Sequence, residues 1–455
     1  MRFLRKASLA AVAAVAVSAL LAGCAGGSPT SSASGPTGGG VTINGVKWPK
    51  YTGNTKITVW TWSGAPQTTK VIPAFEKAYP NIKVDVESVG SGSDEYSKLT
   101  TANSAGSGAP DVVMLEYPYI PEFVASKALA NISSYVKPFM SELPKWAVSS
   151  VTFNGGVYNF PFGGGTQALI YRPDVLQKAG LSVPTTWSQF ATEAVALHKA
   201  NPSEYMTYFP NNDPEYVLAL LQQAGANPFT ESKNGTWTIN LDSAKSRSVM
   251  NYWGDLIKEG AINVQGDFTP AWQNSIASGT YATYLGADWF PSAVLVPYIK
   301  KGSQNFTVTN MPGWSAGQKV VGNWGGSGYS VTSQSKNKEA ASLFAAFMDL
   351  GGANDSLAAG SLPVVSDATK FPAYNGTAGT QPGFTQNLNK VYQGYQANVN
   401  PDFSFSPWTT VMNNALNTEE AKAVAGTESW NDVLKNVQNQ VISYAKSQGY
   451  QVKVG

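Results

Sequence analysis

The chain has 455 residues, 43% hydrophobic and only 13% charged, with 31 Lys and Arg against 29 Asp and Glu. That length supports two or three domains with large cores. The near-neutral balance, with no basic run beyond Lys300-Lys301 apart from the N-terminal Arg5-Lys6, excludes phosphate-backbone recognition as the main activity. A single cysteine and a single histidine exclude a disulfide framework and a Cys/His zinc site.

Arg2, Arg5 and Lys6 form a positive start, and Ala7 to Leu21 is apolar apart from Ser8 and Ser18. That run fits the ~7–15 apolar residues of a secretory signal better than the ~20 of a bilayer-spanning helix. An uncleaved anchor is the alternative. L-A-G-C at 21–24 resembles the bacterial lipobox, so residues 1–23 read as a lipoprotein signal peptide. Cys24 then reads as the acylated residue that holds the protein to the outer face of a membrane. Losing Arg2, Arg5 and Lys6 from the 31 cations leaves 28 against 29 anions, a net charge of −1. Ala25 to Gly40 is Gly/Ser/Pro-rich and too poor in apolar residues to fold. Residues 24–54 are therefore expected to be a tether, and the sixteen residues of its Gly/Ser/Pro-rich part would reach roughly 20–25 Å.

From Thr55 onward strand and helix signals alternate. Ile57-Thr58-Val59-Trp60 alternates like a strand, and Val71, Ile72, Phe75 and Tyr79 follow at helical spacing, with Pro73 in a first turn. Ile82 to Glu87 alternates again, and Tyr96 and Leu99 open a helical stretch. Asp111 to Leu115 is a continuous apolar run of the kind buried on both faces of a parallel sheet. Ala168 to Tyr171 is a further strand, and Thr186-Trp187-Ser188-Gln189 is a capping box that opens a helix. Ala244 to Glu259 is helical around Val249, Met250, Trp253 and Leu256, and Trp430 to Val441 closes the chain on a helix. Trp187, Trp253 and Trp430 sit at helical spacing and read as core. The alternation makes the fold α/β, with ligands expected beyond the carboxyl ends of the strands.

Those strand ends carry the candidate site. Val59-Trp60 runs into Thr61-Trp62-Ser63-Gly64, and Met114-Leu115 into Glu116-Tyr117. Tyr284-Leu285 runs into Gly286-Ala287-Asp288-Trp289, and Val320-Val321 into Gly322-Asn323-Trp324-Gly325-Gly326, while Trp408 precedes a helix from Val411. Aromatic rings beside small residues and a carboxylate or amide suit the apolar face and the hydroxyls of a pyranose. The ligand-binding candidates are Trp62, Glu116, Tyr117, Asp288, Trp289, Trp324, Gly326 and Trp408.

G-S-G-A-P-D-V-V at 106–113, Y-N-F-P-F-G-G-G-T-Q-A-L-I-Y-R at 158–172, N-W-G-G-S-G-Y-S-V at 323–331 and G-S-L-P-V at 360–364 come in a telling order. Behind a lipobox, they resemble the carbohydrate-binding lipoproteins of ABC importers, the maltose-binding-protein kind. Val364-Val365 and Arg172 depart from that family's commoner residues. The resemblance implies a two-lobed, periplasmic-binding-protein-like α/β fold with crossovers between lobes. It implies one lobe from 55–161 and 320–362, and another from 162–319 and 363–455. Gly163-Gly164-Gly165 would form a crossing whose backbone angles change on closure. The implied partners are a carbohydrate ligand, the transmembrane subunits of an ABC permease, and the membrane through the anchor. The protein would be a monomer, with no nucleic acid, cofactor or metal.

Enzymatic readings compete with this one. His198 stands without a G-x-S-x-G elbow, and neither a P-loop nor a strand-linked G-x-G-x-x-G occurs. A secreted glycoside hydrolase would need two carboxyls ~5–9.5 Å apart, for which Glu116 and Asp288 are the candidates. A cell-surface lectin is the third class. Asn211-Asn212-Asp213 leaves open a calcium loop or a solvated turn.

Overall fold

The computed structural model describes residues 40–62, 66–90, 92–300 and 302–455. The signal peptide, Cys24, the tether through residue 39, and Ser63-Gly64 lie outside the described residues.

The alternating segment Thr55–Thr61 is a strand that pairs in parallel with Ile82–Ser88 and with Val112–Glu116. Val112 to Leu115 are buried, which is what an apolar run without alternation needs. Ser327–Val331 pairs antiparallel with Val112–Glu116 on one side and Phe160–Gly163 on the other, completing five strands. This sheet is therefore mixed rather than parallel. In a second sheet Gln167–Tyr171 is central, antiparallel to Thr283–Ala287 and Thr307–Thr309. A third joins Phe229–Glu231, Trp237–Ile239 and the C-terminal Val452–Val454.

The chain leaves the first sheet at Gly163, enters the second at Gln167, leaves it at Thr309 and is back in the first at Ser327. The last long helices, Thr409–Val424 and Trp430–Ser447, pack on each other and on Ala244–Lys258. Trp187 and Trp253 meet edge to face at 5.6 Å within a buried aromatic core. Trp430 is half-buried, with its ring edge-on to Phe209 at 5.7 Å.

Four local expectations change. The folded body begins before Thr55. Residues 42–47 form a two-stranded hairpin, and Trp48, 2% exposed, packs its ring 4.7 Å from Phe139 and 4.9 Å from Phe347. The helix around Val71 runs from Pro66 to Ala78, so Pro73 is interior and removes one ladder hydrogen bond from an exposed face. Val320-Val321 is no strand; Val321 makes an isolated bridge to Val399. In the capping box, Thr186 accepts from Gln189 N at 3.2 Å, but the Gln189 side chain accepts from Thr185 N at 3.0 Å, one residue early.

Candidate functional site

Glu116 ends a strand of the first sheet, and Trp289 follows a strand of the second by two residues. Gly325, in the passage back to the first sheet, stands between them. A Cβ built there would lie 3.8 Å from Glu116 Oε1, 3.9 Å from Glu215 Oε2 and 3.9 Å from Trp289 Nε1, with nothing nearer. One point thus faces two carboxyl groups and an indole from different parts of the fold.

Each of these groups is held. The Tyr96 hydroxyl donates to Glu116 Oε2 at 2.6 Å. Trp289 donates from Nε1 to Trp324 O at 3.1 Å, its ring 4.9 Å from that of Trp324. Trp324 is itself 2% exposed and donates from Nε1 to Asp213 Oδ2 at 2.7 Å. Asp213 caps the helix Pro214–Gln223, its Oδ1 accepting from Glu215 N and Tyr216 N, with Pro214 at the first helical position and Glu215 in the first turn. Trp62 stays half-buried and donates from Nε1 to Glu95 Oε2 at 2.6 Å.

The electrostatics are uniformly acidic. Glu215 lies beside Glu116, and Asp267 beside Asp213, close enough for each carboxyl to act on the other. Burial, followed by the neighbouring carboxylate, holds Glu215 well above the ordinary range. Burial likewise pushes Glu95 and Asp267 up to about 8. Facing carboxyls in a low-dielectric site share a proton because both cannot ionise cheaply.

Sequence reasoning missed Asp213, Glu215, Asp267 and Phe268. Phe268 is the most telling: 55% exposed at φ +55°, it holds its ring 6.3 Å from Trp289 at an interplanar angle of 29°. A bulky residue at positive φ is strained. An exposed ring held in that state beside a half-buried indole forms a continuous apolar platform.

Other candidates belong to the crossing itself. Tyr117 is fully buried; its hydroxyl donates to Gly163 O at 2.8 Å and its N–H to Gly326 O at 3.1 Å. Asp288 Oδ1 accepts from Gly165 N at 3.1 Å, and burial pushes Asp288 up to about 7. Gly165 has φ +75°, and a Cβ on it would sit 2.7 Å from Trp324 O. On Gly326, with φ +87°, it would sit 2.6 Å from Gly164 O. The two passages therefore touch backbone to backbone, and only glycine fits. Trp408 lies elsewhere, 2% exposed against Trp237 at 5.4 Å and Tyr450 at 5.1 Å. Its position just before a helix is met by a core, which a large ring fills well.

The remaining singular residues are occupied. His198 stacks on Tyr205 at 4.3 Å and pairs Nδ1 with Glu204 O at 3.0 Å. Asn212 bonds the Asp267 backbone, and both Asp213 oxygens are engaged. Among the described residues no group of three or more His, Cys, Asp or Glu is arranged to hold a metal ion.

Residues 61–348 match the profile of the bacterial extracellular solute-binding proteins. The chain is 23% identical over 305 residues to the arabinooligosaccharide-binding protein of Bacillus subtilis, covering 65% of this chain and 69% of that one. It is 24% identical over 300 residues to the lactose-binding protein of Rhizobium radiobacter, covering 63% and 68%. In structure it is similar to the galacto-N-biose/lacto-N-biose I-binding protein of a Bifidobacterium longum ABC transporter, solved with lacto-N-biose. The TM-score is 0.77 at 21% identity, over 88% of this chain and all of that one. A binding protein from B. animalis subsp. lactis, solved with beta-1,6-galactobiose, aligns at TM-score 0.74 and 24% identity over 88% and 99%. The fold is the two-lobed α/β fold of such proteins, reached through the crossing at Gly163–Gly165. With the profile spanning more than half of its length, the chain belongs to the bacterial extracellular solute-binding protein family.

Proposed function

We propose that this protein is the extracellular substrate-binding component of an ABC importer. It captures a sugar or oligosaccharide between two closing lobes and delivers it to a membrane permease. The observation that carries this reading is the convergence at Gly325 of the Trp289 indole with Glu116 and Glu215, beside the exposed Phe268 ring. Aromatic faces supply a pyranose with its apolar contact, and carboxyl oxygens accept from its hydroxyls. Withdrawing those hydroxyls from water makes each missing partner cost ~1–3 kcal/mol, which is the source of selectivity. The sugars in the names of the relatives support the same ligand class.

In this reading the lobes comprise residues near 55–161 with 320–362, and 162–319 with 363–455. The glycine contact between the passages is the hinge, which Tyr117 and Asp288 brace. The protein performs no chemistry on its ligand. Cys24 carries the lipid, and the monomer stays near its permease on the tether.

The test is a glycan panel scored by thermal shift, with chromatography of each mixture. Ligand that binds only the folded form raises stability by RT ln(1 + [L]/Kd). A saturable shift without sugar breakdown is expected; products on the chromatogram would instead make it a hydrolase.

A further inference from the structure

Every charged group acting on Glu116 and Glu215 is itself acidic. Glu116 faces Asp213 and Glu215 from the cap and first turn of Pro214–Gln223, and Tyr96 from the helix Ser93–Ala105. Glu95, from that same helix, feels Glu116 in turn. Behind Asp213 lie Asp267 and, on Thr409–Val424, the fully buried Glu420. Lys98 acts on Glu95 alone of these carboxyls, and among the described residues none of them forms an ion pair with Lys, Arg or His. Three of these carboxyl groups keep buried oxygens without a partner: Glu95 Oε1, Asp267 Oδ2 and both oxygens of Glu420. A neutral glycan would leave this charge unmatched, since hydroxyls donate hydrogen bonds but bring no charge.

We infer that the Glu116–Glu215 pair, where it converges before Gly325, is a subsite that takes a protonated amine, so the preferred ligand is an amine-bearing glycan. The inference rests on the sugar-binding reading above. A single ammonium in the space before Gly325 meets oxygens of both carboxyl groups, the charged acceptors that hold a desolvated cation. Its arrival makes the shared proton unnecessary: R–NH3+ plus the Glu–COOH/Glu–COO− pair gives R–NH3+ bound between two carboxylates, and one H+ passes to solvent. Affinity for the amine therefore rises with pH across the range in which the pair titrates, until the amine itself loses its proton.

The probes are matched glycans that differ only in having NH3+ or OH at C2: glucosamine and glucose, galactosamine and galactose, and the β-1,4-linked glucosamine disaccharide and cellobiose. Each is titrated calorimetrically, slightly below neutral pH, in two buffers of different ionisation enthalpy. The amine of at least one pair should bind on the order of tenfold or more tighter than its hydroxyl counterpart. Its apparent heat should change with buffer, reporting a released proton, while the heat of a neutral glycan does not. Glu215→Gln and Glu116→Gln, each checked by a melt, should abolish both the preference and the proton release. Equal affinity within every pair, or amine binding without proton release, would overturn the subsite while leaving the sugar reading intact. If no glycan of this set or of the wider panel bound, the sugar reading itself would fall and take the subsite with it.

Discussion

Phe268 offers the cleanest separation of binding from folding. Its backbone lies at φ +55° and its side chain is 55% exposed. A phenylalanine side chain presents ~200 Å², so roughly 90 Å² is buried here, worth about 2 kcal/mol at ~25 cal/mol per Å². Against that stands the left-handed backbone, which costs about 1–2 kcal/mol for a residue with a branched or bulky Cβ environment. Phe268→Asn removes the ring and substitutes a residue that tolerates positive φ. The two effects nearly offset each other, and the unliganded protein should lose no more than ~1 kcal/mol, a change of about 1 °C in Tm for a body of this size. The platform beside Trp289 is halved, however. Borrowing the ~1–3 kcal/mol scale of base–aromatic stacking as an analogy, the Kd of the best glycan should rise roughly ten- to a hundredfold. Calorimetric titration and a melt of the same preparation decide it. Unchanged affinity would remove Phe268 from the site, and a large drop in the unliganded Tm would make the ring structural.

Other outcomes follow from the same geometry. Burial holds Glu95 and Asp267 at about 8 and Asp288 at about 7, so the folded state keeps protons that the unfolded chain releases above about 4. The stability from these raised carboxyls is complete at low pH and lost as pH climbs through the folded values. The unliganded Tm should thus fall between about pH 5 and pH 8, and Glu95→Gln should flatten that slope in a calorimetric series. Gly165→Ala forces a Cβ to within 2.7 Å of Trp324 O at φ +75°; it should cost ~2 kcal/mol or more in denaturant melts, and a wild-type melt would refute the tight crossing. Solution scattering should record a smaller radius of gyration with saturating glycan, and a fixed radius with confirmed binding would defeat closure. Cys24→Ser should release the protein from membranes or leave an unprocessed precursor, whereas unchanged attachment would favour an uncleaved anchor.

Much of the fold was legible because burial imposes periodicity. The alternation in Ile57 to Trp60 and Ile82 to Glu87, the unbroken apolar run before Glu116, and the box at Thr186 each mark an element found within a few residues. The mixed sheet was not legible, since Ser327–Val331 carries no sign of its direction or of its two partners. The site divides in the same way. Trp62, Glu116 and Trp289 stand out as aromatic and acidic residues at strand ends, whereas Trp324 follows Val320-Val321, which is no strand. Asp213 and Glu215 were hidden in plain helix-start chemistry, a cap followed by Pro214, whose ordinary explanation masks a second use. Phe268 gave no local signal, because positive φ at a phenylalanine depends on contacts distant in sequence. Tyr117, Asp288 and Gly326 come from the same strand ends and passages, and their bonds run to or within the glycine passages.

The central claim is that a glycan sits where Glu116, Glu215 and Trp289 converge. A crystal structure with the tightest-binding glycan of the panel tests it directly. A sugar ring is expected against Trp289 and Phe268, with Glu116 and Glu215 both within hydrogen-bond distance of one of its polar groups. A glycan bound elsewhere on the chain, with this convergence untouched, would contradict it.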